Sequence, residues 1–593
     1  MKNQTIRNTS NILIKTLRMI LHYKKYIFLI LIILNSVISL LAYISILLSQ
    51  KLINLIQLKQ SSISTLVQIG ILYVMTKILN TLLVNINSFT NQYYSEYLFL
   101  MLNKLFLNKC NKLNYSDYEN AKTYDMLQRA EQNIGVKTLA LINDVLLLFS
   151  NIISFIVSLI ILSNWHDWVL IGFIILPFIS YKYFISINNY EQKIVMERTD
   201  SERKSWYLTF LMIKDYYIKE VRTFGLTNYL MKQYCVLKEI IFNQNISIYK
   251  RKTIFTFMYK LANTLFSSLI VMKALLETYM GKILVGNFMT YINTTSMIES
   301  NITSTVSTVL SIYTDCLYCN YILEFFDICD SQDDNYINKI KVDKIESIEF
   351  KNVSFKYPKS NAFAIENFSY YFKSNKVYAI VGHNGSGKST LIKLIAGLYS
   401  NYTGEILING INLKQIDEDN LKEKMRVIFQ DFNRYEFTVK ENINIGNIKN
   451  NDIGNIVTSA KITGADDFII KLPFKYEQQL GNWFEGGIQL SGGQWQKIAV
   501  SRALVKKEGC YILDEPTAAL DPLSEYNFFK KLKDNINNSI GILVTHRFTN
   551  AKMSDEILVI SNGRLVEFGT HDELINYKKE YYKLYMLQRG ESN

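Results

Sequence analysis

The sequence predicts two unlike domains in one chain. An α-helical six-span membrane domain occupies residues 1–325, and an α/β domain built on a phosphate-binding loop occupies 345–593, with a linker at 326–344 between them. Three observations carry this reading. Residues 1–320 hold long apolar runs almost free of proline. Beyond 345, short apolar runs alternate with Gly-rich turns and charged stretches. The pattern G-x-x-x-x-G-K-[ST] falls in the second half, at 382–389. The overall mean hydropathy of +0.05 averages over these two halves and describes neither.

Crossing about 30 Å of hydrocarbon takes about 20 residues in a helix. Six runs are long enough: Tyr26–Leu48, Thr65–Ser88, Leu139–Leu162, Trp168–Ile187, Ile254–Tyr279 and Asn287–Tyr313. "SNWHDW" joins the third to the fourth, and its Trp165 and Trp168 suit a membrane–water interface. The first run is too long for a signal-peptide core, and no small-residue cleavage site follows it. "FFDICDSQDDNYINKIKVDK", 325–344, is polar and aperiodic, as a linker is.

The net charge of +13 could suggest nucleic acid. The lysines instead cluster beside the apolar runs, in residues 1–25 and in the long segments after spans two and four. By the positive-inside rule both termini and both long segments then face the cytoplasm, in a multi-pass protein of the cytoplasmic membrane, and no nucleic-acid partner is expected. The six cysteines fall on that same side or at inner span ends, where no disulfide framework is expected. Cys316-x-x-Cys319 with Cys329 lacks a fourth metal ligand nearby.

"VYAIVGHNGSGKST", 377–390, reads as strand, Gly-rich loop and helix start. Gly382, Gly385 and Gly387 let backbone N–H groups turn toward phosphate, with Asn384, Ser386 and Thr390 in the same cradle. Lys388 can neutralise β- and γ-phosphates, and Ser389 can ligate Mg²⁺. "GCYILDEPTAALD", 509–521, is an apolar strand ending in two carboxylates. Asp514 then stands beside the metal, and Glu515 can polarise a water aimed at the γ-phosphate.

Between these lies "LSGGQ", 490–494. This order of motifs resembles the ATP-binding cassette (ABC) family, and the resemblance extends to further positions. Tyr357 in "FKYP" matches the aromatic that stacks on adenine. Gln430 in "VIFQD" matches the glutamine that contacts Mg²⁺ and the attacking water. His546 in "LVTHR" matches the histidine on the γ-phosphate. Asp521 in "AALD" matches the loop that crosses to a partner cassette. "EGG", 485–487, sits where exporters have a Glu-containing loop touching the membrane domain.

The resemblance implies a head-to-tail dimer. ATP on Lys388 of one chain is closed by Ser491, Gly492, Gly493 and Gln494 of the other. The chain holds one set of motifs without internal repeat, so it resembles a half-transporter that needs a second copy or a paralogue.

Six spans before one cassette resemble the type IV exporter architecture. Its coupling helices are expected near "SDYENAKTYDML", 116–127, and "YLTFLMIKDYY", 207–217. "YENAKTYDMLQRA", "QDFNRYEFTVKENI" and Trp495 after LSGGQ resemble the peptide and bacteriocin exporters, except that Ala121 replaces the usual proline. Only about 25 residues precede the first span, too few for the peptidase domain some of those exporters carry. ATP-driven peptide export is therefore the expected function. A lipid or hydrophobic drug exporter is the alternative, and an importer or an ATP-gated channel lies further off.

Charges inside the spans point to a pathway. A charge at the bilayer centre costs on the order of 2.5–3.5 kcal/mol. Lys77 and Glu299 fall near mid-depth and are expected to line, or bridge across, a cargo cavity. Lys273 and Glu277, four apart, are expected to pair near the outer end. In the last span Ser296, Ser300, Ser304, Ser307 and Ser311 share one helix face, with Ile298, Ile302, Val306 and Val309 opposite. That hydroxyl stripe suits a hydrated, peptide-like cargo.

Overall fold

The computed structural model describes residues 2–59, 62–328, 339–358, 360–506, 509–516, 522–535 and 539–589, apart from some side chains within them. Asp521, Cys329 and most of the expected linker lie outside the described residues. The chain forms two compact units, Met1–Leu113 with Ala121–Asp330, and Asn114–Asn120 with Ser331–Asn593.

The first unit is helical. Its helices, numbered with the short α4 of the second unit, are α1 (Lys2–Leu21), α2 (Lys25–Leu58), α3 (Ile63–Asn111), α4 (Tyr115–Tyr118), α5 (Ala121–Ile134), α6 (Lys137–Ser163), α7 (Trp168–Glu197), α8 (Thr199–Ile213), α9 (Asp215–Thr223), α10 (Thr227–Tyr279) and α11 (Val285–Phe326). Each expected span falls within α2, α3, α6, α7, α10 or α11. Among the described residues α2, α3, α6 and α10 are apolar and long enough to cross a membrane by composition alone. α11 falls short because its hydroxyl and amide side chains dilute the apolar ones. The expectation had missed α1, which packs Ile12, Leu13, Leu17 and Ile20 into a core with Phe325 and Cys319 of α11.

Polar clasps fasten these helices where apolar contact alone is weakly specific. Asn151 Nδ2 of α6 donates to Ser304 Oγ of α11 at 2.9 Å. Gln50 and Asn54 of α2 both donate to Asn287 Oδ1 of α11, at 2.6 and 2.8 Å. Beside the "SNWHDW" link, Lys273 stands 4.0 Å from Glu277. Closer partners hold that carboxylate: Trp165 Nε1 at 2.7 Å and His166 Nε2 at 3.1 Å, with Trp165 stacked on Tyr291.

The second unit carries two sheets. Its strands are β1 (Ser347–Phe355), β2 (Ile365–Lys373), β3 (Lys376–Val381), β4 (Thr403–Ile408), β5 (Ile411–Asn412), β6 (Met425–Ile428), β7 (Cys510–Asp514), β8 (Ile540–Val544), β9 (Glu556–Ser561) and β10 (Arg564–Gly569). One sheet is antiparallel, ordered β2-β1-β4-β5. The other is ordered β10-β9-β3-β8-β7-β6, parallel from β9 to β6. β7 and β8 are buried at every residue, and the apolar runs Cys510–Leu513 and Ile540–Val544 suit parallel strands covered on both faces. Because β3, β8, β7 and β6 are neighbours, their carboxyl ends lie side by side, where open parallel sheets bind ligands.

The helix Gly492–Leu504 packs tightly on the turn at 445–447. A Cβ built on Gly446 would stand 1.8 Å from the backbone oxygen of Arg502. Backbone cannot yield as a side-chain tip can. Gly446→Ala is therefore expected to destabilise the second unit by about 1–3 kcal/mol, read as a lowered midpoint in thermal unfolding. An unchanged midpoint would show that this turn relaxes freely.

Candidate nucleotide site

Four neighbouring strand ends supply the site. β3 runs into the loop 382–387, which leads into the helix Lys388–Ile395. Gly387 at φ 107° has no room for a side chain, since a Cβ there would stand 2.6 Å from Ala364 O. Gly385, at φ 78°, faces open space instead. Lys388 is 6% exposed, and its Nζ donates to Gly382 O at 3.0 Å and His383 O at 2.8 Å. Burial lowers its pKa, while Glu515 and Asp514 act in the opposite direction.

β7 delivers the carboxylates. Asp514 is buried and hydrogen-bonded to Ser389, and burial pushes its pKa up to about 6. Glu515 follows in the left-handed region, at φ 49°. A non-Gly residue held there costs on the order of 1–3 kcal/mol and persists only where its surroundings fix it. They do: its N–H donates to Val544 O at 3.0 Å, and Gln496 Nε2 donates to its carbonyl at 3.0 Å. The turn aims the carboxylate between Gln430 from the end of β6 and His546 from the end of β8. Gln430 Nε2 donates to Oε2 at 2.8 Å, and His546 Nε2 lies 2.9 Å from Oε1. Burial lowers the pKa of His546, with Lys388 adding to the effect.

The cradle fits a phosphate group and a cation. Ser386 Oγ is buried without a partner, and Asp514 is a desolvated carboxyl beside the Ser389 hydroxyl, an oxygen pair of the kind Mg²⁺ takes. Tyr357 is pinned near the helix start by a 2.9 Å contact between its hydroxyl and Thr390 Oγ1. Asn384 is exposed in the loop.

Ser491 caps the helix Gly492–Leu504, accepting from Gln494 N at 3.3 Å, while Gln494 Oε1 accepts from Ser491 N at 2.9 Å. Gln494, expected at the nucleotide, thus spends its side chain on a capping box. Ser491 and Gly492 remain exposed at that helix start, with Gly493 half-buried.

Three participants escaped the sequence reading. Glu525 is buried and pairs with Arg547 at 2.5 Å and Asn550 at 2.5 Å, fixing the turn after His546. Glu436 Oε2 accepts from Trp483 N at 2.6 Å, and Gln479 Nε2 donates to Glu436 O at 2.7 Å, tying the segment after Gln430 to the loop before LSGGQ. Gln496 is the third. Only its place two residues after LSGGQ could have drawn attention to it.

In the same unit, Tyr115–Tyr118 docks beside the nucleotide helix. Tyr399 donates to Glu119 Oε2 at 2.7 Å, Lys393 lies 3.9 Å from Glu119, and Tyr115 meets Tyr399 edge-on at 5.6 Å. The second expected coupling segment lies in the first unit, where Lys214 breaks α8 from α9 and Tyr216 is exposed.

The expected pathway residues are only partly brought together. Lys77 and Glu299 do not pair within one chain. Lys77 lies over the Tyr73 ring, 5.7 Å from its centroid, and Glu299 is engaged by Thr264 and Ser267 of α10. Ser300 and Ser307 are exposed, whereas Ser304 is spent on Asn151.

This fold and this set of strand-end groups define an ATP-hydrolysing translocase, and comparison with known proteins agrees. The family model described as "ABC transporter" matches residues 365–518. The chain is 34% identical to the subtilin transport ATP-binding protein of Bacillus subtilis, over 96% of this chain and 93% of that protein. It is 31% identical to the nisin transport ATP-binding protein of Lactococcus lactis subsp. lactis, over 98% and 96%. The structure of a bacterial Atm1-family ABC exporter with ATP bound matches its fold with a TM-score of 0.82 at 20% identity, over 97% of this chain and 99% of that one. The chain belongs to the ABC transporter family, as an ATP-driven exporter with a helical membrane domain ahead of its ATPase domain.

Proposed function

We propose that two copies of this chain export a peptide of the bacteriocin or lanthipeptide kind across the cytoplasmic membrane by alternating access. One observation carries the cargo class: the similarity to the subtilin and nisin transport proteins runs through both halves, including the half that must meet the cargo. In this reading both termini and the ATPase domain face the cytoplasm, and each nucleotide is shared between two chains. Tyr357 stacks on the base, the 382–390 loop with Lys388 holds the phosphates, and the partner's signature segment at 491–493 closes over them.

Mg²⁺, held by Ser389, Asp514 and Gln430, would offset phosphate charge. Glu515 takes the proton of the attacking water. Gln430 and His546 fix its carboxylate and stand beside the γ-phosphate. Closure of the cassettes turns the cargo cavity outward, and hydrolysis resets it. Asp521 is assigned to the partner-facing loop.

Deleting the gene in its native host is expected to abolish one secreted peptide and leave its precursor inside the cell, read by mass spectrometry of medium and lysate. An unchanged secreted-peptide profile would overturn the peptide reading. The Tyr115–Glu119 segment is the proposed coupling contact. Glu119→Ala, which removes a charge-assisted hydrogen bond, is expected to lower transport about fivefold while basal ATPase activity stays near wild type. Parallel loss of both would make the contact merely structural.

A further inference from the structure

α10 and α11 present unlike outer strips. The exposed strip of α10 is mostly apolar, with Leu261, Leu265, Leu269 and Met272 beside the hydroxyls of Thr264 and Ser268. The exposed strip of α11 is polar, with Asn293, Ser296, Ser300 and Ser307. Hydrocarbon suits the first better than the second: Ser307 satisfies its hydroxyl on Ser304 O at 2.8 Å, but an amide such as that of Asn293 needs partners that lipid cannot give. The α11 strip therefore faces water, cargo or polar protein. Its other face is already taken: Ile298 and Ile302 are buried in a core with Tyr259, Ile270 and Phe173.

Glu299 stands at the border between the two helices. Ser267 Oγ donates to its Oε2 at 2.9 Å, and Thr264 Oγ1 donates to its Oε1. One turn from Ser267 on the same face of α10, Asn263 is fully buried with neither amide atom partnered. A carboxylate offers about four acceptor sites, and two hydroxyl donors leave two of them. Two neutral donors orient a carboxylate without neutralising it, and Lys77 lies over the Tyr73 ring of its own helix. The group is thus held by two hydroxyls, half-exposed, beside a polar strip, and among the described residues no basic side chain forms an ion pair with it. An intramembrane ionisable group so placed is costly unless a counter-charge visits it.

We propose that Glu299, oriented by Thr264 and Ser267, is the residue that selects a cationic group on the cargo, an ammonium or guanidinium carried past α11. This deepens the export reading and rests on it. It adds a charge requirement to the cargo, located at one carboxylate. In a twofold dimer the site occurs twice. A cargo bearing two cationic groups can then engage both walls.

The test uses the full-length protein in inside-out proteoliposomes. Three fluorescent peptides of equal length carry lysine, norleucine or glutamate at one position. Tetraphenylphosphonium and neutral triphenylphosphine oxide serve as non-peptide probes. Wild type is expected to move the lysine peptide best. Glu299→Gln should cut that transport about tenfold, the scale of a lost charge-assisted contact, and leave the norleucine peptide unchanged. Glu299→Asp should rescue part of the loss, and Glu299→Lys should shift preference to the glutamate peptide.

Equal loss for all probes in Glu299→Gln would make the carboxylate a strut between α10 and α11 and overturn the inference. So would a variant that treats charged and neutral probes as wild type does. If wild type moves no peptide, yet moves tetraphenylphosphonium over the neutral probe in a Glu299-dependent way, the peptide reading falls and cation selection stands.

Discussion

Glu515→Gln is expected to reduce ATP turnover at least about 100-fold while leaving nucleotide binding intact, because it removes the proton acceptor but keeps the side-chain shape. The geometry is specific about what survives. Gln430 and His546 each contact one oxygen of Glu515, at 2.8 and 2.9 Å, so an amide can keep one favourable contact and must offer a donor at the other. Burial favours neutral His546, whose Nε2 can accept from that amide once its tautomer changes. The backbone strain at φ 49° is held by main-chain contacts to Val544 and Gln496, which the substitution does not touch. The variant is therefore expected to fold, bind ATP and accumulate as a closed, ATP-loaded dimer. Retained radiolabelled ATP after gel filtration reads the trap, and single-turnover hydrolysis reads the chemistry. Turnover at the wild-type rate would remove Glu515 from its role. Loss of ATP binding would show that its carboxylate supports the cradle and not the water.

Much of this site was legible because its parts are local motifs. A Gly-rich loop followed by Lys388 and Ser389 needs only that strand and helix flank it, and an apolar run ending in Asp514-Glu515 marks a buried strand with its carboxylates at one end. The neighbouring order of β3, β8, β7 and β6 was not legible. It alone brings Gln430, Glu515 and His546 within hydrogen-bond reach across gaps of 31 to 85 residues. The supporting acid Glu525 looked like any surface glutamate at a helix start, since its burial depends on Arg547 and Asn550 arriving from elsewhere.

In the membrane half, hydropathy located the helices but not their partners. Lys77 and Glu299, expected to line or bridge across a cargo cavity, do not meet within one chain, because mid-depth placement along two helices says nothing about which faces meet. The hydroxyls of α10 reached Glu299 first. α1 escaped notice because its apolar positions are spaced as an amphipathic face and never form a long run.

The proposed sharing of each ATP between two chains makes the second large prediction. Lys388→Ala should disable both sites of its homodimer by removing the phosphate cation. Ser491→Arg should disable both of its own by blocking the exposed start of the signature helix, at a cost of about 1 kcal/mol in lost capping. Consider a dimer purified through two different tags, with one substitution in each chain. If sites are shared head to tail, both defects fall in the same site, and the other site is wholly native. About half of wild-type turnover is then expected, if the sites fire independently. Placing both substitutions in one chain, paired with an unsubstituted chain, reverses the outcome. Each site now carries one defect, and turnover should vanish. A site contained within one chain predicts the opposite in both dimers: no activity when the substitutions are split, and about half when they are together. The order of the two rates decides between the arrangements even if cooperation between sites lowers the surviving activity well below half.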